Sequence, residues 1–335
     1  MLVRMTVIAG IVGLCSFLSF GATYSVEVLP TPQNSPSLMV TGMNDSGWVT
    51  GFYQDGNYFK SVVWNNEQWD TIPGFSAKNI FTYGINNAGT VTGQSDMPTF
   101  FFKGFSFQNG ILTNETPDNR IGAVYGINDA GVLCGFAYFN GVGIRAFTKD
   151  ATGFQMLGTL GGTSSFGTAI SSNNIVVGRS AIVTGATEAF ICDTGMVSIA
   201  PPGANWSGAD AVNDFGFAVG SYRTEQGNRG FYYNGYESFD VGMPAGAQDL
   251  WMRDINNDGT AVGYAYIEEN QGVAVKFEFG SLIDLSTLID QSNPIQLAAA
   301  MAINNRGWIA VLASFDGING VTAILKPLPP EEITR

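Results

Sequence analysis

The sequence has no histidine among its 335 residues. That absence excludes Ser-His-Asp and Cys-His nucleophilic catalysis and every histidine-based metal site. Charge is also scarce, at 13% of residues, and it leans acidic: 15 Lys and Arg against 28 Asp and Glu, a net charge of −13. Nucleic acid needs basic clusters to neutralise phosphate, so nucleic-acid binding is excluded. An anionic membrane surface would repel such a chain. Cysteine is rare, with three in all. What is plentiful is glycine, 43 residues, together with 24 Phe and 12 Tyr in a chain that is 45% hydrophobic. That content is too apolar for disorder and fits short strands joined by tight turns.

The first residues, 1–22, read as a signal peptide. Arg4 supplies the positive start, residues 7–18 the apolar run, and Ser19, Gly21 and Ala22 the small residues of a cleavage site. The apolar run is too short to span a bilayer, and no second one follows it. The expectation is an exported protein without a membrane span after cleavage. Cys134 and Cys192 then remain, either as a disulfide of an oxidising compartment or as buried thiols on core strands.

The rest of the chain repeats. Gly42-Met43-Asn44-Asp45-Ser46-Gly47 returns as Gly84-Ile85-Asn86-Asn87-Ala88-Gly89 and as Gly126-Ile127-Asn128-Asp129-Ala130-Gly131. It returns again around Ser171, Asn213, Asn256 and Asn304, at intervals of 42 or 43 residues and finally 48. Each copy describes a hairpin: a strand end, an Asx-rich turn, and a glycine with positive φ. The fourth copy places Asn174 at that glycine position, and Asn is the side-chain-bearing residue that best tolerates it. A second glycine follows four residues later, at Gly51, Gly93, Gly135, Gly178, Gly220 and Gly263, with Val311 in the seventh copy. A third strand (Arg145-Ala146-Phe147, Glu188-Ala189-Phe190) and a short fourth complete each unit.

Seven units of four short strands predict an all-β, seven-bladed β-propeller. The seventh unit stops after three strands, while residues 24–29 form an orphan strand ahead of the first. The ring closes if that strand pairs with residues 321–325 and so removes the exposed edges. The expected organisation is a signal peptide over 1–22, one propeller domain over 23–327, and a polar tail over 328–335.

Leu157-Gly158-Thr159-Leu160-Gly161-Gly162, followed by Ser165 and Ala169-Ile170, resembles the opening of the bacterial extracellular HAF repeat. The Asn-x-x-Gly turn and the small-Phe third strand are similar to the remainder of that repeat. The resemblance implies an exported or surface protein of a family without a settled biochemical activity. The histidine of the family's name is missing, and Lys60, Lys103, Arg145, Glu188 and Arg229 stand in its place. No role tied to it carries over.

Two short motifs are read as ordinary turns. Asp254-x-Asn256-x-Asp258-Gly259 opens like a calcium loop but has Ala265 where the closing carboxylate belongs. Ser238-x-Asp240-x-Gly242 is like an Asp box without its closing Trp. No metal site and no cofactor are expected. The candidate ligand-binding residues are Arg253, Asp210, Trp206 and Trp251. Asp210 and Arg253 stand three residues before Asn213 and Asn256, where the other repeats carry Thr41, Tyr83, Tyr125, Thr168 and Met301. Two opposite charges on an otherwise neutral ring predict a pair, because an unpartnered buried charge costs several kcal/mol. Either the pair is structural, or Arg253 is free enough to hold an anionic ligand group. Trp206 and Trp251, in inter-blade segments, are either exposed platforms or packing at the blade tops. The sequence therefore points to a secreted, monomeric, non-catalytic binding propeller for an extracellular glycan or protein. The alternative is an extracellular carbohydrate-active hydrolase or lyase using carboxylates or Tyr at the channel mouth.

Overall fold

The computed structural model describes residues 22–32, 38–76, 78–98, 101–117, 120–268, 271–317 and 320–329. The expected signal peptide, apart from Ala22, and most of the expected tail lie outside the described residues. Seven four-stranded antiparallel sheets make up a seven-bladed β-propeller. Six blades run through four consecutive strands, as in Met39–Met43, Val49–Asp55, Tyr58–Trp64 and Trp69–Ile72 of blade one. The seventh takes three strands from the C-terminal end and its outermost from the N-terminal end. Tyr24–Val28 pairs antiparallel with Gly320–Pro327, Val26 opposite Leu325 and Val28 opposite Ala323. The orphan strand therefore closes the ring. No helix among the described residues is long and apolar enough to cross a membrane.

The core lies between blades. Phe105, Phe147, Phe190 and Phe231, one from the third strand of each of four successive blades, are fully buried. Cys134 and Cys192 are free thiols inside one of these inter-blade clusters. Burial pushes the Cys134 thiol up to about 12, so it stays protonated and packs as a small apolar group.

Every innermost strand carries a β-bulge at the same place. The register slips between Val40 and Gly42, Thr82 and Gly84, Val124 and Gly126, and Gly167 and Ala169. It does so again between Ala209 and Ala211, Met252 and Asp254, and Ala300 and Ala302. A bulge leaves one residue unpaired and re-aims its side chain. The bulge also explains the second glycine of the repeat. A Cβ at Gly93, Gly135 or Gly178 would lie 2.0 Å from the carbonyl oxygen of the facing innermost strand. Blade seven, with Val311 there, has a second register shift between Leu297 and Ala299.

The turn glycines Gly47, Gly89, Gly131, Gly216, Gly259 and Gly307 all have positive φ, and Asn174 joins them at 65°. The Asn that opens each turn does more than cap it. Asn44 Oδ1 accepts the amides of Ser46 and Trp48, while its Nδ2 donates to the Asn86 carbonyl of the next blade. Asn86 reaches Asn128, Asn128 reaches Ser171, Asn213 reaches Asn256, Asn256 reaches Asn304, and Asn304 closes onto Asn44 at 3.0 Å. A belt of buried amides thus ties the blades together. It is interrupted at Ser171, whose hydroxyl accepts the Ile175 amide. There Asn173 Nδ2 donates to the Asp214 carbonyl instead.

Candidate functional site

The seven bulges converge on the axis. Their residues, Thr41, Tyr83, Tyr125, Thr168, Asp210, Arg253 and Met301, all line a central channel of about 450 Å³. That is within the size range of small-ligand sites. One end of the channel is the Asx-turn rim, where Asp45, Asp129 and Asp214 accept backbone amides of neighbouring blades. The other end is framed by the beginnings of the innermost strands and by side chains of the second strands.

Tyr83 and Tyr125 line the channel, and an arc of ring contacts runs from them through the buried Phe136 to Phe166. Tyr83 meets Tyr125 with ring centres 4.7 Å apart, Tyr125 meets Phe136 at 5.8 Å, and Phe136 meets Phe166 at 4.9 Å. The arc ends at Arg179, whose guanidinium lies 5.0 Å from the Phe166 ring centre. Arg179 has no ion-pair partner within 4.0 Å among the described residues. Gly208 makes room beside it. A Cβ there would meet the Trp206 ring at 3.1 Å and Arg179 Cβ at 3.7 Å.

The predicted charge pair follows. Arg253 Nη1 lies 3.5 Å from Asp210 Oδ1, and the two side chains keep 36% and 31% of their exposure. The contact is long for a charged hydrogen bond, so the guanidinium keeps donors to spare. Burial raises the Asp210 carboxyl above its ordinary range, and Arg253 and Arg179 pull it back down. Trp251 stacks on Tyr264 at 5.4 Å and meets Tyr266 edge-on at 5.7 Å. Burial raises the Tyr264 phenol, and Arg253 lowers it. Trp206 is 38% exposed at the start of its strand. Of the four residues read from the sequence, Asp210 and Arg253 are brought together, while Trp206 and Trp251 lie on innermost strands and not in inter-blade segments. Asp210 and Arg253 line the channel, and the two tryptophans stand outside the lining.

Two channel charges escape a reading confined to the bulge column. Arg179 follows the second glycine of its repeat, where the other blades have Phe52, Gln94, Phe136, Ser221, Tyr264 and Leu312. A comparison of that column singles it out by the logic that found Asp210 and Arg253. Asp254 occupies a position that is Gly or Ala in every other blade. Its carboxylate turns away from the calcium-like turn and accepts the Ile303 amide of blade seven and its neighbour Ile255 amide, both at 2.9 Å. Burial still raises it to about 6. Burial also holds the Tyr83 and Tyr125 phenols above their ordinary range, so they remain protonated donors. The Asp-box-like Asp240, on an outer strand, is tied to Arg229, Tyr222 and the Gly242 amide.

No family model matches the chain, and no curated protein matches it. Solved structures do. The β-propeller domain of the Trilobed protease from Pyrococcus furiosus superposes with a TM-score of 0.58 at 10% identity, over 89% of this chain and 97% of that one. Virginiamycin B lyase from Staphylococcus aureus gives 0.52 at 12% identity, over 91% and 100%. A puromycin-hydrolyzing peptidase of Mycobacterium tuberculosis gives 0.55 at 11% identity, over 92% of this chain. The chain spans 56% of that peptidase's length. Such similarity shows the propeller fold alone.

Proposed function

We propose that this chain is an exported, non-catalytic binding propeller that holds a glycan in the channel mouth away from the Asx-turn rim. One observation carries the reading: the bulge ring is charged only at Asp210 and Arg253, and those charges share the channel with the rings of Tyr83 and Tyr125. Aromatic faces that pack against sugar rings, together with a few fixed polar groups that set orientation, are the composition a small-ligand site needs. The HAF-like repeats support export to the cell exterior. The test is a glycan array on the purified mature protein, repeated with Arg253→Gln. The variant should fold normally and lose binding; retained binding places the ligand elsewhere.

A second reading has its own support. Asp210 and Asp254 line the same channel, and burial raises both carboxyls. Carboxyls so perturbed are candidates for acid-base work in an extracellular carbohydrate-active hydrolase or lyase. Product formation from any glycan that binds, abolished in Asp210→Asn, would favour this reading. Unchanged glycan after prolonged incubation would remove it.

A further inference from the structure

Resting on that reading, we infer that the glycan is acidic, and that Arg179 is the residue that anchors its anionic group. Arg253 is half-claimed, since Asp210 faces it at 3.5 Å. Arg179 is held in place by the Phe166 face at 5.0 Å, but no carboxylate within 4.0 Å neutralises it among the described residues. A guanidinium fixed by stacking keeps its planar fork available for a carboxylate or a sulfate ester. Tyr83 and Tyr125, which line the channel, offer rings for the sugars that precede the acidic group.

Asp210 and Asp254 match the two channel arginines in number, but the rest of the molecule makes an arginine without an ion-pair partner notable. The chain carries a net charge of −13, and Asp45, Asp129 and Asp214 ring the opposite end of the channel. An anion entering the channel is repelled from the rim and held at the Arg179 side, so the charges set the direction in which the glycan lies. The Ser221 hydroxyl adds a second feature. It is buried without a hydrogen-bond partner, and Ser221 pairs across the strands with Gly208, over which Trp206 and Arg179 pack. Thr92 shares this condition, and a buried polar group left unsatisfied calls for an explanation such as an ordered water or ion.

Asp210 gives the proposal an asymmetric signature. For an acidic glycan, Asp210 is a competitor that occupies Arg253 and adds repulsion of its own. For a neutral glycan it is only one more acceptor. The experiment is titration calorimetry with an oligogalacturonate, a sulfated galacto-oligosaccharide and a neutral galacto-oligosaccharide of equal length, preceded by an array of acidic and neutral glycans to choose the best chain. The wild-type protein should prefer an acidic chain by about tenfold or more, the worth of one charge-assisted hydrogen bond. Whether the uronate or the sulfate wins names the group. Arg179→Gln should erase the preference, Arg179→Lys should keep part of it, and Asp210→Asn should widen the preference for the acidic chain several-fold. Circular dichroism and melting on each variant verify the fold. Equal affinity for neutral and acidic chains, or an Arg179→Gln loss shared by both, overturns the acidic assignment and leaves glycan binding standing. Failure of every glycan on the array overturns both.

Discussion

The two ends of the channel are built from the same seven strands, yet they are opposites. At the Asx-turn rim the blades agree: Asn44, Asn86, Asn128, Asn213, Asn256 and Asn304 recur because each side chain both caps its own turn and holds the next blade. Three residues earlier the blades disagree, with Thr, Tyr, Tyr, Thr, Asp, Arg and Met in turn. The bulge explains the freedom. It takes that residue out of the ladder and aims its side chain into the channel, where it has no cross-strand side chain to match. Agreement between repeats marks what holds the ring, and in the proposed function disagreement at an inward-facing position marks where a ligand is read.

That contrast can be broken from the structural side. Removing Tyr24–Val28 takes the outermost strand from blade seven and exposes the edge of Gly320–Pro327. This is the largest effect expected, with a product that aggregates instead of refolding as a monomer. Recovery of a monodisperse truncated protein would deny that the ring closes here. Next comes Asn213→Ala. It leaves the amides of Phe215 and Phe217 and the Asn256 carbonyl without their partner, and should cost about 2–4 kcal/mol in urea unfolding. A loss below about 0.5 kcal/mol, within the range of ordinary surface substitutions, would reduce the belt to decoration.

Asp254 tests the boundary between the two regions, because it is a charge in the column that is otherwise Gly or Ala. Its folded carboxyl is raised to about 6 by burial, above the ordinary value of 3.8. A raised value means the folded protein prefers the protonated form. The stabilising contribution is therefore full below the ordinary range and is lost as pH rises through about 6. The melting temperature of the wild type, taken relative to Asp254→Ala, should rise as pH falls from about 7.5 to about 5. A flat difference would mean that the carboxylate is fully satisfied by the Ile303 and Ile255 amides. The smallest effect sharpens the comparison from the other direction. Ser171→Asn restores the missing amide of blade four and should add about 0.5–1.5 kcal/mol, the net worth of one hydrogen bond. A loss of stability would show that repeat four, with Asn174 in its turn, cannot accept the geometry of the others.

Much of this was legible in the sequence, for reasons that differ by residue. The closed ring follows from counting strands at the two ends, and the turn at Asn174 from the left-handed conformation that Asn tolerates. Asp210 and Arg253 were found as a pair because the repeats supply their own alignment. The belt was hidden because a turn motif reads as a local object, and the amide bond that joins Asn44 to Asn86 crosses to another blade. Arg179 stands in the column beside the bulge residues, where the other repeats carry Phe, Gln, Ser, Tyr or Leu, so the bulge column alone does not reveal it. The partners of Trp206 and Trp251 depend on how strands from one blade lie over glycines and tyrosines of the same and adjacent strands, which spacing does not encode. The same is true of Cys134 and Cys192, open between bridge and thiol in the sequence and found as buried thiols in the fold.

The central claim is that the diverse mouth binds and the uniform rim holds, each without the other. The most direct measurement is to melt and titrate an Arg179→Gln, Arg253→Gln, Asp210→Asn variant, which removes both arginines without stranding the Asp210 carboxylate, beside the wild type, using the best glycan from the array. Both arginine side chains are at the mouth, and Arg253 is about a third exposed. The account predicts a melting temperature within about 2 °C of wild type, as expected for substitutions outside the core, together with loss of glycan binding. A variant that melts early and binds poorly would show that these charges hold the fold, and a variant that binds as the wild type does would remove the mouth from the function.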